Sequence, residues 1–252
     1  MSSDPNKHPN GTPLTDDQAV EILETGTIIE QHGMMRWSSN YAFLVDVAHE
    51  DTTVMAVYKP QRGERPLWDF PDGTLCYRER AAYVASCELG WRIVPPTVLR
   101  HGQHGLGSVQ LYIEHDPAVN YFNLDEHYIP RLMQFTAFDY VVNNADRKGG
   151  HCLKDEQGQL WGIDHGIAFH EARKLRTVIW DFAGRTIPDD ILADLDRLCD
   201  ALNTEHSALV EDLDELLSKR ELNAFAARVR KILQTRRFPR PGPGPNYPWP
   251  PV

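Results

Sequence analysis

The chain has 252 residues, 41% hydrophobic and 25% charged, with a formal net charge of −10 at pH 7. This is the composition of an ordinary globular protein, long enough for one large domain or two lobes. The acidic balance argues against a nucleic-acid partner, which needs clustered Lys and Arg, and against stable membrane association through an anionic surface. No apolar run reaches the length of a membrane span, and the opening MSSDPNKHPNG lacks the apolar stretch of a signal peptide, so a cytoplasmic protein is expected. The four cysteines, Cys76, Cys87, Cys152 and Cys199, have no C-x-x-C spacing and read as reduced packing residues.

Residues 1–13 are polar and read as a disordered leader. Residues 15–26 form a short amphipathic pattern that Thr15 can cap. Residues 27–31, 41–47 and 53–58 are rich in β-branched and aromatic side chains between turn residues, an antiparallel signature. The connection 33–40, GMMRWSSN, lacks a G-x-G-x-x-G pattern, yet its backbone N–H groups, with Ser38, Ser39 and Asn40, can donate to phosphate oxygens. Lys59 ends the third strand in VYKP. After a Pro- and Gly-punctuated loop, residues 75–89 read as a helix with Glu79 near its start. Residues 94–99 and 107–114 resume the sheet around a HGQHGLG turn whose His101 and His104 read as exposed.

From Asp116 onward the periodicity is helical, apart from one stretch at residues 141–169, VVNNADRKGGHCLKDEQGQLWGIDHGIAF. The apolar run before it reads as a buried helix. Residues 151–154 and 159–163 alternate around Asp-Glu-Gln-Gly and read as a hairpin, which brings Asp146, His151 and Asp164 toward one spot. A carboxylate, a metal-ligand residue type five positions on, and a second carboxylate ending the following strand form the layout of phosphoryl transfer.

These motifs resemble the phosphatidylinositol 3-/4-kinase family, the type II phosphatidylinositol 4-kinases above all, as a soluble, bacterial-type member. Their loop begins Asp-Arg and their metal strand reads like Ile-Asp-Asn-Gly-Leu-Ala-Phe, against Ile163 to Phe169 here; Lys59 stands in a similar Val-Phe-Lys-Pro context. The resemblance, over roughly residues 27–185, implies an α+β, two-lobed protein-kinase-like fold. The N-lobe would span 14–114 with an antiparallel sheet, and a mainly helical C-lobe 115–237 would carry the catalytic hairpin, with ATP between the lobes. It implies that Lys59 holds the nucleotide phosphates, paired with Glu79, and that Gln110, Leu111, Tyr112 and Ile113 form the connection that meets adenine. Asp146 would orient the acceptor hydroxyl, Arg147 or Lys148 would neutralise the transferred group, and Asp164 with His151 would hold Mg²⁺ or Mn²⁺.

His151 stands where kinases usually carry Asn, and imidazole suits Mn²⁺ better than Mg²⁺, so either a Mn²⁺ preference or a metal held through Asp164 alone is expected. The implied activity is ATP-dependent transfer of the γ-phosphate to a hydroxyl of a lipid, small molecule or protein. The alternative is a nucleotide-binding pseudokinase acting as a scaffold or regulatory module. Three amphipathic helices are expected at 188–202, 205–217 and 221–235, with the basic residues 228–237 complementing the last helix's C-terminus. The tail at 238–252, rich in proline, reads as extended and disordered, with a protein partner for it as one option.

Overall fold

The computed structural model describes residues 14–34 and 40–252, so the leader and, with them, Ser38 and Ser39 lie outside the described residues. Two compact units emerge, one of residues up to 80 with 95–114, the other of residues 81–94 with 115–252. The secondary structure is mixed α and β, as the sequence predicts.

The first unit is built, among its described residues, on a five-stranded antiparallel sheet. The helix α1 (Asp16–Thr25) starts at Thr15, whose side chain accepts from Gln18 N while Gln18 Oε1 accepts from Thr15 N. Strands β1 (Thr27–Met34), β2 (Phe43–His49), β3 (Thr52–Pro60), β4 (Thr97–Gly102) and β5 (Gly105–Leu111) are ordered β1-β2-β3-β5-β4. Strand β3 shows why Lys59 is available to a site. Side chains alternate faces along a strand, and Val54, Ala56 and Tyr58 fill the core, which turns Lys59 to the other face. Gly107 lets β5 approach there, since a Cβ would lie 2.4 Å from Lys59 O. His104, expected to be exposed, instead stacks on Phe43 at 4.6 Å because the β4–β5 turn folds over Tyr58, whose hydroxyl donates to Gly105 O.

Helix α2 (Leu75–Glu88) begins where the Glu64 carboxylate accepts from Leu75 N and Cys76 N, a charge placed at the positive helix end. Its residues 81–86 are all buried and belong to the second unit, as do the residues that follow. The sequence-based boundary at 114 therefore misses an excursion at 81–94. The cause is hydrogen bonding that the strand pattern does not reveal: Ile93 and Val94 N donate to Ser86 Oγ, Arg131 donates to Trp91 and Arg92 carbonyls, and Gly162 N donates to Ile93 O.

The second unit is built on α3 (Ile129–Val142), whose Leu132, Phe135, Phe138, Val141 and Val142 are buried. Strands β6 (Cys152–Lys154) and β7 (Leu160–Gly162) pair antiparallel, Leu153 opposite Trp161. Helices α4 (Asp189–Asn203), α5 (Ala208–Leu216) and α6 (Lys219–Thr235) complete it, with Phe225 of α6 edge-on to Phe169 at 5.3 Å. The starts of α5 and α6 shift from those expected because Ser207 and Ser218 cap them, accepting from Val210 N and Glu221 N. The residues at 238–252 are not the disordered tail expected; their backbone is hydrogen-bonded to residues 149, 177 and 184. Among the described residues no helix is long and apolar enough to cross a membrane.

Candidate active site

The loop carrying Asp146 is shaped by the two asparagines before it. Asn143 ends α3 in the left-handed region at φ 56°, a conformation Asn tolerates better than most residues. Its amide donates to His170 O and Ala172 O and accepts from Lys174 N at 2.8 Å. Asn144, fully buried, accepts from Asp146 N at 3.0 Å and donates to Asp139 Oδ1 at 3.0 Å. Ala145 N donates to Ile167 O, so the loop is stitched to the segment beyond Asp164. Arg228 of α6 donates to Val141 O, placing a cation at the C-terminal end of α3 rather than at its own helix end.

Arg147 cannot take the role expected of it. Its side chain is fully buried, and its guanidinium holds Asp139, likewise fully buried, at 2.9 Å. Nη1 donates to the carbonyls of His151 and Ile163, the two outer ends of the hairpin, and Nη2 lies 2.6 Å from His165 Nε2. A guanidinium with its donors committed inward is a structural pin. Asp139 is the residue that sequence reasoning missed, although a lone carboxylate inside the apolar run of α3 is the signal for it: a buried charge must be paired.

Asp146 and Asp164 are partly open, at 27% and 46% exposed, while Lys148 and His151 beside them are largely covered, at 18% and 13%. Lys148 Nζ lies 3.4 Å from Asp146 Oδ2, and His151 Nε2 lies 3.3 Å from Asp164 Oδ2. Burial pushes the Asp146 carboxyl up to about 6; the Asp164 carboxylate adds to the rise, while Lys148 and Arg176 oppose it. Asp164 follows β7 with φ 59°, so the carboxylate-bearing residue itself sits in the left-handed region of this turn. That conformation, unusual outside glycine, aims the 46% exposed carboxylate away from the strand. The neighbouring Cys152 is inert, its thiol raised to about 12 by burial.

In the sheet unit, Lys59 Nζ donates to Glu79 Oε1 at 2.6 Å, with side chains only 19% and 5% exposed. Asn40 Oδ1 accepts from Arg65 N. The residues expected to meet adenine are partly committed elsewhere: Gln110 donates to Thr97 Oγ1, Leu111 N to Pro96 O and Tyr112 N to Met55 O, because β5 stays in register with its neighbours to its end. The Gln110 side chain is thus buried within the sheet.

The chemistry of these donors decides where a divalent cation fits. Asp164 offers carboxylate oxygens at a partly open position, which suits Mg²⁺ or Mn²⁺. His151 Nδ1 accepts from Lys148 N at 3.4 Å and its Nε2 lies 3.3 Å from Asp164 Oδ2, which sets the imidazole against that carboxylate. Asp146, His151 and Asp164 do not form a three-ligand cluster; among the described residues one such group, Glu30, His32 and Asp46, lies in the sheet unit. There His32 Nε2 is taken up by Asp46 at 2.9 Å as an exposed ion pair.

The architecture defines a class. The structure of the Helicobacter pylori proinflammatory kinase CtkA aligns with 85% of this chain and 95% of its own, with a TM-score of 0.54 and 12% sequence identity. The chain thus has a kinase-like fold, as the sequence implied, and the likeness does not single out the phosphatidylinositol 3-/4-kinases. No family model matches the chain. It is 37% identical to Protein Rv2133c of Mycobacterium tuberculosis over an alignment of 272 residues that covers 94% of this chain and 96% of the relative. The chain belongs to the family of that protein.

Proposed function

We propose that this chain is an ATP-dependent phosphotransferase acting on a hydroxyl acceptor. The observation that carries this reading is the convergence of two carboxylates at the mouth of one hairpin, Asp146 desolvated beside Lys148 and Asp164 open beside His151. Arg147, the pin that fixes their loop, is fully buried, whereas Asp146 and Asp164 keep 27% and 46% of their side-chain surface. The kinase-like fold supports the same conclusion.

Each residue then has a task. The Lys59 ammonium, held by Glu79, neutralises the nucleotide phosphates. Asp146 accepts a hydrogen bond from the acceptor hydroxyl and takes its proton as the oxygen attacks the γ-phosphorus and the bond to the β–γ bridging oxygen breaks, releasing ADP; Lys148, rather than Arg147, balances charge on the transferred group. His151 donates from Nε2 to Asp164 and holds that carboxylate in place. A divalent cation at Asp164 would supply Lewis-acid neutralisation of the phosphate oxygens. The backbone of Leu111 to Ile113 remains the proposed adenine contact, without the Gln110 side chain. The acceptor is an alcohol whose class the chain does not specify: lipid, small molecule or protein. Ser38 and Ser39 stay proposed phosphate donors.

Equilibrium binding of a fluorescent ATP analogue tests the nucleotide half of this reading. Micromolar binding with Mg²⁺ or Mn²⁺, weakened at least about tenfold in Lys59→Met and in Asp164→Ala, is expected. Affinity unchanged in both variants would remove the assignment. Because the metal is proposed at Asp164 alone, Mg²⁺ and Mn²⁺ should support comparable binding, and a strong Mn²⁺ preference abolished by His151→Ala would restore His151 as a ligand.

A further inference from the structure

The residues after α6 run back over the segment that follows Asp164 and end on the loop that begins at Asp146. Ile187 N donates to Arg236 O, Gly184 N to Phe238 O and Phe238 N to Arg185 O. Arg173 Nη2 donates to Arg240 O. Asn246 O then accepts from both Thr177 N and Trp180 Nε1, each at 3.1 Å, and Pro251 O accepts from Gly149 N at 2.8 Å.

These two anchors hold one piece of backbone from either side. Arg147 pairs with the Thr177 strand, Arg147 N donating to Arg176 O and Val178 N donating to Arg147 O, so fixing Thr177 fixes Arg147. Gly149 is fixed directly. Between them sits Lys148, whose N–H meets His151 and whose ammonium meets Asp146. The composition that suggested disorder explains the docking. Pro241, Pro243, Pro245, Pro248, Pro250 and Pro251 have fixed φ and no N–H to satisfy, so these residues lose little entropy on ordering and offer only their carbonyls. Asn246 is set by its own turn, its amide donating to Gly242 O and Gly244 O and accepting from Gly242 N.

We propose that residues 246–251 are a positioning strap of the phosphotransfer site: the Asn246 and Pro251 carbonyls hold Thr177 and Gly149, and through them the place of Asp146 and Lys148. This rests on the phosphotransferase reading above. The strap is not a cover, since with it seated Asp146 and Asp164 keep 27% and 46% of their side-chain surface.

Deletion of residues 248–252 removes the Gly149 anchor and leaves those of Asn246. The test compares this variant and Val252→Ala, at a residue 61% exposed and outside 246–251, with the full chain. It follows amide hydrogen exchange at Gly149, affinity for a non-hydrolysable ATP analogue with Mg²⁺, and steady-state phosphotransfer. The strap predicts faster exchange at Gly149, a fall in kcat of about tenfold or more, and nucleotide affinity within about twofold, because a small displacement of a positioned group costs rate rather than binding. Val252→Ala should behave as the full chain. Faster exchange with kcat unchanged would reduce the strap to packing, and a rise in kcat would make it an obstacle to the acceptor; either overturns the proposal. If the full chain transfers no phosphate with either metal, the phosphotransferase reading fails by itself, and unchanged exchange at Gly149 would then dispose of the strap separately.

Discussion

Asp146 carries the most consequence for a single residue. Its carboxyl titrates at about 6 in the folded chain against an ordinary value of 3.8, chiefly through burial. The folded state therefore binds more protons than the unfolded state between these values. The stability contributed by the neutral form is present in full below about pH 4 and lost as pH rises through about 6, a swing on the order of 2 to 3 kcal/mol. Asp146→Asn should accordingly be more stable than the parent at pH 7.5, by thermal or urea denaturation, with a flatter pH dependence, while phosphotransfer falls about 100-fold or more. A parent enzyme whose activity does not decline below about pH 6 would contradict the role of Asp146 as proton acceptor. For Lys59, Glu79→Gln keeps the shape and loses the charge. Nucleotide affinity should weaken less than in Lys59→Met, since the ammonium remains while its orientation is relaxed.

For the elements, the hairpin and its anchoring helix were legible because alternation and turn chemistry are local: Cys152–Lys154 and Leu160–Gly162 pair where the pattern put them. Side-chain direction was not legible. The Asp-Arg pair at 146 and 147 reads as two site residues, yet one turns out and the other in, because Arg147 answers Asp139 one helix earlier. That partnership is tertiary, and its sequence trace is only a carboxylate among FTAFDYVV. Arg147→Met leaves Asp139, and Asp139→Asn leaves the Arg147 guanidinium, as an unpaired buried charge, and each should destabilise the chain by about 3 to 5 kcal/mol. Arg147→Lys should not rescue, since one ammonium cannot reach Asp139, both hairpin carbonyls and His165 together. Denaturation midpoints of these variants would check these losses. Periodicity likewise locates β5 without revealing that the Gln110 side chain is claimed by Thr97 of the adjoining strand.

Across the whole molecule, the fold class was legible, since strands give way to helices along the chain and the site motifs are in order, and a kinase-like fold is what the chain has. Two features were not. The excursion of residues 81–94 into the helical unit depends on Ser86, Arg131 and Gly162 meeting them in space. The order of the proline-rich end depends on donors at Gly149, Thr177 and Trp180 that lie far away in sequence. Proline content signals the absence of helix and of a central strand, not the absence of structure. The central claim is transfer of phosphate by Asp146 and Asp164 acting together. Its most direct measurement is single-turnover loss of γ-labelled phosphate from ATP on the purified chain with Mg²⁺ or Mn²⁺, with a panel of lipid, small-molecule and protein alcohols as acceptors, beside Asp146→Asn and Asp164→Asn. The account predicts labelled product from at least one acceptor with the parent chain, ATP still bound but not consumed by Asp146→Asn, and neither tight binding nor transfer by Asp164→Asn. Nucleotide bound through Asp164 with no label transferred to any acceptor would contradict it and leave the chain a nucleotide-binding scaffold.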